Sequence, residues 1–167
     1  MFVLFRAVIY ATLFISLVLI YLPAELLSWS GFIHPASIGL QQIAAILLGA
    51  VGAIIALWCV LTFAFIGKGT PAPFDPPRRL VIRGPYRFIR NPMCFGAGIA
   101  LASVALFYES FPILGYTVLF YTACHLFVVW YEEPTLLKMF GKEYEKYCSQ
   151  VRRWWPKLSA SKDKEAG

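Results

Sequence analysis

The chain has 167 residues, 59% of them hydrophobic and only 14% charged, with a formal net charge of +6. A soluble domain of this length sits nearer half apolar and a quarter charged, and the excess here is gathered into long runs, as in a membrane protein. No βαβ alternation supports a soluble Rossmann domain, and Cys59, Cys94, Cys124 and Cys148 form no CxxC pair of the kind a zinc site or disulfide framework uses.

In chain order, the first apolar run extends from Phe2 to Leu22 with Arg6 as its only charge. About 20 apolar residues suffice to cross a bilayer. A secretory signal would have a shorter core and a small-residue cleavage site, which Pro23-Ala24-Glu25 does not resemble. The second run, Ile38 to Ile66, is uncharged. Ala45, Gly49, Gly52, Ala53 and Ala56 give it a smooth face on which another helix can approach closely. The third run, Met93 to Phe107, is short, starts just after Pro92 and is rich in Gly and Ala. The fourth, Pro112 to Tyr131, ends against Glu132-Glu133. Only Glu109-Ser110 separates the last two apolar segments around residues 108–111, which implies a tight helical hairpin. The expected architecture is one all-α integral membrane domain over residues 1–167. It has about four transmembrane helices (2–22, 38–66, 93–107 and 112–131), a cytoplasmic binding loop and a C-terminal amphipathic helix.

Orientation follows from Lys and Arg, which accumulate in cytoplasmic loops. Residues 23–37 and the turn at Glu109 carry none, whereas residues 67–91 carry six and residues from 132 onward carry eight. Four spans place these basic regions and Arg6 on one face, with both termini cytoplasmic. A cytoplasmic surface beside anionic lipid accounts for the net charge without nucleic acid. Trp154 and Trp155 fit an interfacial anchor.

Two segments depart from bilayer logic. Arg83-Gly84-Pro85-Tyr86-Arg87-Phe88-Ile89-Arg90-Asn91-Pro92 is basic, aromatic and stiffened by two prolines. Asn91 can cap the third helix and Pro92 can start it, leaving backbone N–H groups open to an anionic ligand. The second is Glu132-Glu133, expected at the C-terminal end of the fourth span, where the helix dipole disfavours acids. His125 and Tyr121 lie at helical spacing before Glu132, either as part of a site or as satisfied polar groups in the bundle. Beyond them Leu136, Phe140, Tyr144, Tyr147 and Val151 recur at three-to-four spacing, the pattern of an amphipathic helix that roofs a site or rests on lipid. Gly67-Lys68-Gly69-Thr70 lacks the upstream glycine of a phosphate-binding loop and reads as the flexible start of a Pro-rich segment.

Together these words resemble the isoprenylcysteine carboxyl methyltransferase and phospholipid methyltransferase superfamily over roughly residues 67–156. The family pattern, Arg-His-Pro-x-Tyr-x-Gly followed one hairpin later by Glu-Glu, stands here as Arg90-Asn91-Pro92-Met93-Cys94-Phe95-Gly96 and Glu132-Glu133. Gly84-Pro85-Tyr86-Arg87 precedes it, and Phe140-Gly141 with Tyr144 and Tyr147 follows. Asn91 replaces the usual histidine and Cys94 the usual tyrosine.

The resemblance implies an enzyme, an S-adenosyl-L-methionine-dependent integral membrane methyltransferase, and the compact chain without organelle signals suggests a bacterial inner membrane. Its partners would be the membrane and a lipid or lipophilic small-molecule acceptor, with no metal. Cofactor contacts would fall on Leu80, Val81, Tyr86, Asn91, Pro92, Met93, Cys94 and Glu132. From their chemistry, Arg90 is expected to orient an anionic acceptor or the cofactor carboxylate and Glu133 to act as general base, the two catalytic groups. Val128 stands where isoprenylcysteine enzymes carry an arginine for the acceptor carboxylate, which leaves amine, thiol or another lipid-borne nucleophile open. The alternatives from other classes are a nicotinamide-dependent isoprenoid or sterol-type reductase, and a non-catalytic lipid-binding scaffold.

Overall fold

A computed structural model of the chain describes Ile9 and residues 12–30, 37–62 and 80–156. The outer parts of the first two expected spans, Gly67 to Thr70, the Pro-rich segment, and Arg6, Lys68, Arg78, Arg79, Lys157, Lys162 and Lys164 lie outside the described residues. The described part is all-α apart from one parallel bridge between Ile89 and Arg152.

Helices α1 (Thr12–Trp29), α2 (Leu40–Thr62) and α4 (Phe111–Phe140) are long and apolar enough to cross a bilayer. Helix α3 (Pro92–Phe107) is shorter at 16 residues. At 1.5 Å per residue it covers about 24 Å, less than the ~30 Å hydrocarbon core. A short amphipathic helix, α5 (Lys142–Gln150), follows α4 and leads into residues 151–156.

Two of the helices run further than expected, for one reason. Proline has no N–H for the carbonyl four residues earlier. The expected spans end at Leu22 and Tyr131, but the helices continue through Pro23 to Trp29 and through Pro134 to Phe140. In α1 the stretch Ile15–Tyr21 widens into π-helical turns, and Leu22 N–H bonds back to the Leu17 carbonyl. In α4 the stretch Val128–Glu132 does the same, with Glu133 N–H bonding to the Val128 carbonyl. The twin acids therefore sit inside a continuous helix rather than at its C-terminal end. The dipole argument against them does not apply.

Helices α2 and α3 pack antiparallel along the small-residue faces. A Cβ on Gly52 would lie 2.7 Å from the Gly96 carbonyl oxygen, and one on Gly96 would lie 2.9 Å from the Gly52 carbonyl oxygen. Backbones this close require glycine at both positions, and dispersion between them takes the place of a hydrophobic driving force that lipid does not supply. At one end of this pair Gln41 Nε2 donates to the Leu106 carbonyl at 3.1 Å, and Gln42 Nε2 donates to Glu109 Oε1 at 3.4 Å. At the same turn Ser110 caps α4 by accepting from Ile113 N–H. Helix α1 joins through Val18 and Leu19, which pack on Ala97, Leu101 and Phe120, and through Tyr116 Oη donating to the Val18 carbonyl at 3.0 Å. Outward faces such as Leu47, Ile54, Leu57, Val118 and Leu119 stay exposed, as a lipid solvent requires.

The amphipathic pattern folds as expected with one break. Gly141 takes φ +50 and ends α4, so α5 starts in a new direction. Tyr144, Tyr147 and Val151 nonetheless form one buried cluster, joined by Leu136 and Phe140 and packed against Leu80.

Candidate active site

The end of the bundle opposite Glu109 gathers the Arg83–Pro92 segment, the π turn of α4, helix α5 and residues 151–155. Its first layer is apolar. Val81 and Tyr86 are buried against Cys59 of α2, with Met93 packed beside them. Tyr147 Oη donates to the Tyr86 carbonyl at 2.6 Å and pins the 3-10 turn Gly84–Arg87 beneath α5. Burial raises the phenols of Tyr86, Tyr144 and Tyr147 well above the ordinary tyrosine range, so all three stay neutral.

The second layer is ionic. Glu133 accepts from Arg153 through both oxygens, Nε to Oε1 and a terminal nitrogen to Oε2, each at 2.7 Å. Arg90 reaches the same Oε1 at 3.0 Å. Three of the roughly four acceptor positions of this carboxylate are thereby used. The Arg90 terminal nitrogen also lies 2.8 Å from Cys148 Sγ, and its buried Nε has no hydrogen-bond partner among the described residues. The hydrogen bond and ion pair to Glu133 raise the Arg153 guanidinium above its usual range. A cleft of about 480 Å³ opens beside this group, lined by Arg90, Glu133, Pro134, Tyr144, Cys148 and Arg153.

Glu132 differs from its neighbour. It makes no hydrogen bond or ion pair among the described residues, yet it lies within electrostatic reach of Tyr86, Cys94, Arg90 and Tyr147. One carboxylate without such a partner among the described residues thus stands beside the start of α3, while the adjacent one is held by two arginines.

At that start Asn91 occupies the N-cap position and Pro92 the first helical position, as expected. The Asn91 side chain does not cap, however. Its Nδ2 donates to the Arg153 carbonyl at 3.4 Å, which leaves the first-turn N–H groups of α3 uncapped by it. The twin acids and the Asn91-Pro92 turn therefore meet at one end of the molecule, linked through Arg90 and Arg153. Leu80 is the outlier of the expected contacts, because it packs with the α5 cluster.

His125 and Tyr121 do not join Glu132. The widened turn between them shifts the helical register, so a face deduced from regular α spacing is lost. His125 Nδ1 instead accepts from Trp154 Nε1 at 3.2 Å, and Tyr121 Oη donates to the Phe95 carbonyl at 3.2 Å. Trp154 is thus partly a structural contact, while Trp155 remains 68% exposed with its ring edge-on to Phe95. Arg153 and Cys148 were missed as site residues. The signal was present in the Tyr144, Tyr147 and Val151 face, which carries the segment after it back onto the Arg83–Pro92 loop.

Comparison with known protein families gives a match to phospholipid methyltransferase over residues 40–143, well over half of the chain. Searches of curated proteins and of solved structures returned no significant match. The matched segment runs from the start of α2 into α5 and contains every residue singled out from the sequence for the site. The chain belongs to the phospholipid methyltransferase family, within the superfamily of integral membrane methyltransferases shared with the isoprenylcysteine enzymes.

Proposed function

We propose that this protein transfers a methyl group from S-adenosyl-L-methionine to a lipid or lipophilic acceptor at the membrane surface. The observation that carries this reading is the unpaired Glu132 carboxylate beside Tyr86, Cys94 and the uncapped start of α3. The donor set fits such a cofactor. A free carboxylate suits the ammonium or ribose hydroxyls, and open helix N–H groups suit a carboxylate. Met93 and Cys94 offer soft, weakly hydrated surface for a sulfur-bound methyl.

When bound, the cofactor supplies an electrophilic methyl on a positive sulfur. The chain's part is placement, because in-line displacement draws much of its rate from orientation. Tyr86, Val81 and Met93 exclude water from the methyl. Asn91, Pro92 and Glu132 hold the polar end. Arg90, drawn toward an anionic group on the acceptor, would release a lone pair of Glu133. Glu133 could then take the proton of an amine or thiol as general base. The acceptor enters from the bilayer beside α4, and the cofactor enters from the side bearing the basic segments, which we assign to the cytoplasm together with both termini.

Calorimetry on purified protein in detergent tests the reading. Saturable binding of S-adenosylhomocysteine is expected, with no binding of NADPH. Glu132→Gln should weaken it on the order of tenfold or more, the scale of a charge-assisted hydrogen bond. Absence of binding by the parent protein would remove the enzyme reading, whereas unchanged affinity in Glu132→Gln would remove only that residue's role.

A further inference from the structure

We infer that Arg153 is the positioning residue of this site, holding its two halves in register through one side chain and one backbone carbonyl. The inference rests on the methyltransferase reading for its consequence. Its geometry stands apart from the family match, which ends at residue 143.

Four contacts converge on three consecutive residues. The Arg152 carbonyl accepts from Arg90 N–H at 3.0 Å, continuing the Ile89–Arg152 bridge. The Arg153 carbonyl accepts from Asn91 Nδ2. The Arg153 guanidinium clasps Glu133 by two bonds of 2.7 Å. Trp154 Nε1 donates to His125. The strap therefore touches the segment entering α3 on one side and α4 on the other. Of these contacts, only Arg153 reaches both the N-cap residue of α3 and the acid next to Glu132.

The planar guanidinium is what makes the clasp directional. A bidentate pair fixes the carboxylate in plane and in rotation, whereas an ammonium holds it as a point charge. Glu133 is held in plane, and Glu132, the residue immediately before it, ends the π turn that Glu133 caps. Seating Arg153 thus sets the direction of Glu132 relative to Asn91. Arg153 itself need not touch cofactor or acceptor. Its side chain is 32% exposed while that of Glu133 is 19% exposed, so the pair sits at the rim, where position outweighs stability.

The test compares Arg153→Lys and Arg153→Gln with the parent protein and with Lys142→Gln, an exposed charge-loss control. Three quantities are read on folded, monodisperse protein: melting temperature, dissociation constant for S-adenosylhomocysteine, and amide hydrogen exchange over residues 89–95. The expected result is a graded loss of affinity, with Arg153→Gln weaker by on the order of tenfold to a hundredfold and Arg153→Lys between it and the parent. Exchange at 89–95 should rise in the same order, while Lys142→Gln changes neither. A purely structural role would lower the melting temperature and leave the affinity of the folded fraction unchanged, which overturns the inference. So would unchanged exchange at 89–95. Should the parent protein fail to bind S-adenosylhomocysteine, the methyltransferase reading falls with the consequence drawn here. The exchange data then decide the clasp alone.

Discussion

Two adjacent glutamates, alike in sequence, have opposite circumstances in the fold. Glu133 is ion-paired to both Arg90 and Arg153, and Glu132 meets neither at bonding distance. Substituting Glu133 by Gln leaves a guanidinium facing an amide. We expect a loss of about 1–2 kcal/mol in unfolding free energy, held at the low end by the partial exposure of Arg153. Chemical denaturation of the two single variants checks this, since Glu132→Gln should cost far less stability than Glu133→Gln. The buried phenols make a second prediction. Tyr86, Tyr144 and Tyr147 have raised pKa values when folded, so the unfolded chain loses these protons first as pH rises. Their contribution is complete below the ordinary tyrosine value near 10 and declines above it. Stability followed from about pH 8 to pH 12 should fall less steeply in Tyr147→Phe than in the parent. A parallel decline would show that Tyr147 has no share in the alkaline loss.

At the level of elements, proline shapes the candidate site through the backbone. Pro134 prevents a regular α turn and leaves Val128–Glu132 in the wider π form, which turns Glu132 away from the His125 face. Pro134→Ala restores the missing N–H. The variant should be more stable by about 1 kcal/mol, a fraction of the proline penalty in a helix interior. It should also bind S-adenosylhomocysteine more weakly, because Glu132 moves toward its regular α position. Thermal melting and calorimetry on the same preparation separate the two effects. A variant both tighter and more stable would mean that the π turn has no role in the site. The element boundaries were legible wherever a cap or a change of polarity marked them, as at Asn91-Pro92 and at Ser110-Phe111-Pro112. They were not legible at Pro23 and Pro134, because whether a proline ends a helix depends on whether neighbouring turns can widen around it.

The whole molecule has a polar turn at Glu109 and a basic, ionic end around Arg90, Glu133 and Arg153, separated by the length of α2. If the basic end faces the cytoplasm as proposed, a fluorescent reporter fused after Gly167 should be bright and a periplasm-dependent phosphatase at the same point inactive. An active phosphatase there would invert the proposed orientation and move the cofactor's entry to the wrong compartment. The short α3 adds a constraint of its own. Held antiparallel to α2 through Gly52 and Gly96, it is entered from the Arg83–Pro92 segment, so the candidate site lies at its start.

Composition, hydrophobic run lengths and the placement of charged residues determined the all-α membrane class and singled out the two segments that form the candidate site. These properties are local or additive along the chain, so they can be read before any contact is known. The small-residue faces of the second and third runs likewise announced a close helix pair. Tertiary structure alone decided which of the twin acids is free, that His125 belongs to Trp154, and that Arg153 returns to bind the loop before α3. Each of those outcomes depends on a rotation about a helix axis or on a contact across dozens of residues. A single widened turn or one returning strap changes them while leaving the pattern of the sequence intact.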